Sequence, residues 1–278
     1  MQKREILDFF TKNRSMSVGI SILLIYLIAA IFAPLLSPHD PYEQNLDVRL
    51  SGPSREYPFG TDQFGRCVFS RILYGARISI TIGIAAVLFG LIIGSGLGII
   101  AGYRGGLTDL VLMRLMDVLM SIPALILALA VVAALGRSIP NMILAIGINA
   151  LPLFARLSRS SVLSIRTMEY IEASEAIGTN SFNIIRYHVF KNCFSPLLIF
   201  STLHTASAIL MAAALSFLGL GVPPPTAEWG LMTAEARVYL RQAPYLVIFP
   251  SMVILVLVLG FNLIGDRLRD MLDPKLRF

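Results

Sequence analysis

Charged side chains are scarce in this sequence. Asp, Glu, Lys and Arg make up 14% of its 278 residues, whereas a soluble domain carries about 25%. Hydrophobic residues make up 56%, and the mean hydropathy is +0.74. A chain this apolar needs lipid around it, so the composition excludes an ordinary soluble domain and indicates an integral membrane protein.

Residues that carry chemistry are also few. The two cysteines, Cys67 and Cys193, fall on opposite sides of the membrane in the topology below, which argues against a disulfide between them. The three histidines are scattered, and no Cys/His cluster has the spacing of metal ligands. The phosphate-binding pattern G-x-x-x-x-G-K-[ST] does not occur, so the chain has no triphosphate site of its own. We therefore expect neither an enzyme, nor a cofactor, nor a metal site.

Six apolar segments reach the length of about 20 residues that a membrane span needs. The first could be a signal peptide, but its apolar run is too long and no clean cleavage site closes it, so we interpret it as a span. The predicted all-α membrane protein has transmembrane helices at residues 17–36, 78–100, 110–135, 139–157, 194–218 and 245–264.

Lys and Arg set the orientation of these spans. With the N-terminus in the cytoplasm, the inner segments hold 15 Lys and Arg and the outer segments hold 8. This bias predicts that both termini are cytoplasmic. The net charge of +6 belongs to the membrane flanks; no stripe of basic and aromatic residues points to nucleic acid, so the lipid bilayer is the expected surrounding.

One polar segment between the fourth and fifth spans is organised as two short helices. Over residues 168–177, acidic residues are interleaved with apolar ones, which suits a short amphipathic helix. Gly178 then permits a left-handed C-cap. Asn180 or Ser181 can cap a second helix. Such a helix, glycine and helix can fit a groove on another protein, or can lie on the membrane surface as a connector without a partner.

Several polar or aromatic residues keep two interpretations each. His204 and Asn149 either form hydrogen bonds between helices or line a translocation pathway. Trp229, after three prolines in the last outer segment, is either a membrane-interface anchor or part of a rigid rim for a soluble partner. Arg114 and Asp117, three residues apart at the inner end of the third span, either pair with each other, which is the prediction we adopt, or take part in substrate binding.

Three stretches resemble one family. Glu172, Ala173 and Ser174, followed by Gly178, resemble the EAA loop of permease subunits in bacterial binding-protein-dependent ABC importers. Ser174 replaces the family's second alanine, and Phe190 and Lys191 stand where the family usually has Leu-Pro. Residues 59–79 and 217–230 resemble the C-type permeases of dipeptide, oligopeptide and nickel importers.

This resemblance implies a type I ABC importer permease in the bacterial inner membrane. It implies a heterodimer with a B-type permease, two separate ATPase subunits, and an extracytoplasmic substrate-binding protein. Residues 1–77 would hold the cytoplasmic tail, first span and long outer loop; residues 78–278 would form a five-helix core with the EAA loop at about 159–192. The EAA residues would couple to the ATPase, and the substrates would be peptides, glutathione, nickel or metal chelates.

The alternative is an ion-coupled secondary transporter. Such a protein needs its own coupling site, usually a carboxylate buried near the bilayer midplane. None of the 17 acidic residues clearly lies in the middle of a predicted span.

Overall fold

The computed structural model describes residues 14–272, and these residues form helices joined by short connections and one long outer loop. The nine principal helices of this range are α1 (Arg14–Ile31), α2 (Val68–Arg104), α3 (Gly106–Ser121), α4 (Ala124–Leu135), α5 (Ile139–Arg166), α6 (Glu169–Ala176), α7 (Ser181–Phe217), α8 (Trp229–Ala236) and α9 (Tyr245–Leu272). Helices α2 and α7 each contain one π-helical turn, Gly90–Gly94 and Ile185–Val189.

Five of these helices are long and apolar enough to cross a membrane, and the bent pair α3 and α4 can form a sixth crossing. The all-α membrane fold is thus confirmed. The prediction of one continuous third span at 110–135 is wrong, because α3 and α4 meet at 93°. Pro123 cannot donate to a helix and disfavours helical backbone at Ile122, which is extended at φ −95°, ψ 128°.

The core of the permease forms around α5. Four glycines of α2, spaced one turn apart, face this helix: Gly90, Gly94, Gly98 and Gly102. A Cβ added to Gly98 would lie 2.1 Å from the carbonyl oxygen of Ala155. Small residues let two membrane helices approach at backbone distance, and here they seat α2 directly on α5.

A second core is formed by residues of α1, α2, α8 and α9, and Trp229 is its largest fully buried side chain. The indole is fully buried, and its Nε1 donates to the carbonyl oxygen of Ile72 at 3.0 Å. The predicted role of Trp229 as a membrane-interface anchor is therefore wrong, whereas a rigid rim for a soluble partner in this segment stays a prediction. Gly75 leaves room for the ring, since a Cβ there would lie 2.8 Å from it.

The carboxylate of Glu228 caps the N-terminus of α8. It accepts hydrogen bonds from the backbone N–H groups of Gly230 and Leu231 at 2.8 and 2.7 Å, and from the Ser79 hydroxyl at 3.2 Å. Burial raises the pKa of Glu228 overall, against the lowering effect of these donors. An N-cap of this kind fixes the direction in which α8 leaves the preceding loop.

Arginines hold the long outer loop in place. Arg66 donates to Asp62 at 2.6 Å, and Arg71 donates to the carbonyl oxygens of Pro41 and Pro225, both at 3.2 Å. Both arginines are buried. Arginines used inside the fold do not mark the cytoplasmic side, so the arginine-rich outer loop is compatible with the predicted orientation.

Candidate coupling site

Helix α6 follows α5 after a tight turn. The backbone N–H of Met168 donates to the carbonyl oxygen of Ile165 at 3.0 Å, and that of Ile171 donates to Met168 at 2.9 Å. Two residues separate the helices, so α6 is a direct continuation of the chain from the core helix α5. Glu169 and Glu172 lie in its first turn, where a negative charge is favourable to the helix dipole.

One buried side chain fixes α6 to the helices on both sides. Ile171 is 1% exposed and belongs to the same hydrophobic cluster as Ile165 of α5 and Ile184 and Val189 of α7. The Tyr170 hydroxyl also accepts a hydrogen bond from the amide of Asn192 at 3.2 Å. A displacement of α6 therefore acts on α5 and α7 together.

The end of α6 has the predicted glycine cap. Gly178 has φ +83°, and the backbone N–H of Thr179 donates to the carbonyl oxygen of Ser174 at 3.0 Å. This is the Schellman arrangement, which requires a left-handed residue at the glycine position. The side chain of Asn180, not Ser181, then caps the next helix by accepting from the N–H of Phe182 at 3.0 Å.

The face of this segment that points away from α5 and α7 is exposed and partly apolar. Glu172 and Ala173 are exposed, whereas Ser174 is half-buried and donates to the carbonyl oxygen of Tyr170 at 2.7 Å. Beside them, Ile177 is 82% exposed and Phe182 is 65% exposed. Exposed apolar side chains beside a capped helix end are suited to a groove on a partner protein.

The two candidate pathway residues do not join this site. The ring of His204 stacks on Phe200 at 5.5 Å and meets the buried Phe154 edge-on at 5.9 Å. The Asn149 amide donates to the carbonyl oxygens of Ala145 and, at the start of α4, Ala124. Asn149 thus bridges helices at the break between α3 and α4, and a role in lining the pathway stays a prediction for both residues.

Two ion pairs that join α3 to α5 were not predicted from the sequence. Arg159 binds Asp109 through two hydrogen bonds, and Arg156 binds Asp117 at 2.5 Å. The predicted partner of Asp117, Arg114, lies 3.8 Å away and is 76% exposed, so it is the weaker contact. The spacing of the arginines, three residues apart on one helix face, was the available signal.

Comparison with known proteins shows which family this chain belongs to. The family model described as the binding-protein-dependent transport system inner membrane component matches residues 94–278. The chain belongs to this family. A second model, the N-terminal transmembrane domain of oligopeptide transport permease C, matches residues 2–53, so the predicted C-type permease is confirmed. The permease is a multi-pass inner-membrane protein.

The alignments with similar proteins cover nearly the whole permease. The dipeptide transport system permease protein DppC of Alkalihalophilus pseudofirmus is 46% identical over 274 residues, covering 99% of this chain and 90% of the relative. The di/tripeptide transport system permease protein DppC of Pseudomonas aeruginosa is 42% identical over 280 residues (99% and 92%). The glutathione transport system permease protein GsiD of Pectobacterium atrosepticum is 42% identical over 270 residues (97% and 89%).

A solved structure shares the fold. The MetNI methionine ABC transporter in an inward-facing conformation superposes with a TM-score of 0.60 at 20% identity, covering 73% of the permease and 97% of that chain. The type I importer architecture predicted for the permease is therefore confirmed.

Proposed function

We propose that this permease is the C-type subunit of a peptide importer and forms half of its translocation pathway with a B-type permease. A separate pair of ATPase subunits supplies the energy, and an extracytoplasmic binding protein delivers the substrate. The names of the most similar relatives support short peptides, including glutathione, over nickel or metal chelates. Membership of a binding-protein-dependent family disfavours the ion-coupled alternative.

The geometry of α6 carries this proposal. Helix α6 presents Glu172 and Ala173 outward, ends at the left-handed Gly178, and is fixed to α5 and α7 through Ile171. When the ATPase pair closes on ATP, a helix seated in its groove moves with it. Because α6 cannot shift independently of the core helices, this displacement rotates the permease as packed bodies between inward- and outward-facing states.

The orientation follows from the distribution of Lys and Arg. Both termini lie in the cytoplasm, so α6 lies there as well, where ATP is available. The Ser37-to-Cys67 loop and helix α8 then lie on the outer face, towards the binding protein.

Assembly provides the experiment. The permease, co-expressed with a B-type permease and the ATPase subunits, should purify as a complex with one copy of each permease. In nanodiscs this complex should couple ATP hydrolysis to peptide uptake. A homodimer of this chain that couples ATP to uptake would contradict the heterodimeric pore.

A further inference from the structure

Helix α3 is attached to the rest of the permease with little apolar packing. Within this helix Met116 is the one buried residue. Its opposite face is apolar and exposed, with Leu107 at 79% and Val111 and Val118 also more than half exposed. A helix this thinly packed needs another attachment if it is to hold a fixed position.

Two ion pairs provide that attachment. Both oxygens of Asp109 accept from Arg159, at 2.5 and 2.6 Å, and one oxygen of Asp117 accepts from Arg156 at 2.5 Å. The two aspartates are separated by two helical turns, about 12 Å along α3. The pairs therefore brace the helix along its length, and the bidentate one is only partly exposed, which makes it stronger than an ordinary surface pair.

Both ends of α3 are breaks in the helical chain. At the start, Gly105 and Gly106 have φ +66° and +55°, and a Cβ on either would meet no atom closer than 3.8 Å. At the other end, the chain bends by 93° before α4. A rigid segment between two such breaks can change its angle to its neighbours as a unit.

We propose that Asp109, Arg159, Asp117 and Arg156 are positioning residues for transport, which make α3 follow α5. When α6 moves, α5 moves with it. The ion pairs transmit this displacement from the arginines of α5 to the aspartates of α3, so the exposed apolar face of α3 is displaced as well. The translocation pathway therefore changes shape at α3 as well as at the helices packed directly on α6. This inference rests on the proposed coupling function of α6.

Charge exchange tests the ion pairs. In the complete importer reconstituted in proteoliposomes, Asp109→Arg and Arg159→Asp should each lower the uptake of radiolabelled alanyl-alanine per ATP hydrolysed by about fivefold or more. The double exchange should recover most of this loss. Arg104→Gln is the control, since Arg104 is an exposed arginine at the end of α2 and lies outside both ion pairs, and it should behave as the parent protein. Unchanged coupling in both single variants, or no recovery in the assembled double variant, would overturn the proposal.

Thiol accessibility separates this inference from the function on which it rests. Leu107→Cys reports on α3 and Ile177→Cys on α6, and both labelling rates should change when ATP is trapped. With Asp109→Asn and Asp117→Asn together, which preserve side-chain shape, the change at position 107 should disappear while that at position 177 remains. A persistent change at 107 refutes the ion-pair coupling alone; no change at 177 in the parent refutes the coupling function of α6.

Discussion

Replacing Gly178 isolates the contribution of the α6 cap. Its φ of +83° is unfavourable for most residues with a side chain, but a Cβ there would meet no atom within 4 Å. The cost of a substitution is therefore conformational rather than steric. A left-handed non-glycine residue costs roughly 1–2 kcal/mol, and about 1.4 kcal/mol corresponds to a factor of ten. Gly178→Val should thus lower the equilibrium constant between the capped and uncapped conformations about tenfold.

The assay is uptake and ATP hydrolysis by the complete importer in proteoliposomes. Gly178→Val should insert and assemble normally but transport less peptide per ATP, whereas Gly178→Asn should be much milder, because Asn adopts left-handed backbone readily. Gly136→Val is the matched control: Gly136 has φ +89°, also has open space around it, and caps the C-terminal end of α4, away from α6. If Gly178→Val couples as well as the parent at equal membrane level, the cap has no part in coupling and the reasoning fails.

Three further predictions concern packing and topology. Gly98→Ala should destabilise the permease by about 1–3 kcal/mol through its clash with Ala155, while Gly96→Ala, with nothing within 4 Å, should not; thermal unfolding in detergent compares them. Trp229→Ala should lower the free energy of unfolding by about 3–5 kcal/mol in the same assay, because the ring is fully buried. A decrease below about 1 kcal/mol would contradict the burial of Trp229 and favour a place at the membrane interface. In a variant without the buried native cysteines, an impermeant thiol reagent should reach Leu46→Cys only from outside and Ile177→Cys only from inside, and the reverse pattern would invert the topology.

Local signals in the sequence were sufficient for α6 and its cap. An amphipathic stretch followed by Gly178 and Asn180 predicts a helix, a left-handed residue and an N-cap without reference to the rest of the chain, and the structure contains all three. The spans were predictable for the same reason, since membrane thickness sets their length. Pro123 also marked the break between α3 and α4, but the apolar composition on both sides obscured it.

Features that depend on distant segments were not predictable in this way. Trp229 is buried because Gly75, far away in sequence, leaves space for its ring, and hydropathy alone favoured the membrane interface. Asp117 pairs with Arg156 rather than Arg114 because the inward face of α3 turns towards α5. Both outcomes are set by tertiary packing: spacing within one helix can mark a charged face, but it does not say which helix that face will meet.

The central claim is that α6 is the surface on which the ATPase acts. A photo-cross-linking amino acid at Ile177, the most exposed large apolar residue beside the cap, tests it directly in the intact importer. The same group at Leu46, in the outer loop, is the control. The account predicts that position 177 cross-links to an ATPase subunit and position 46 does not. Efficient cross-linking of position 177 to lipid alone, in a complex that retains its ATPase subunits, would contradict it.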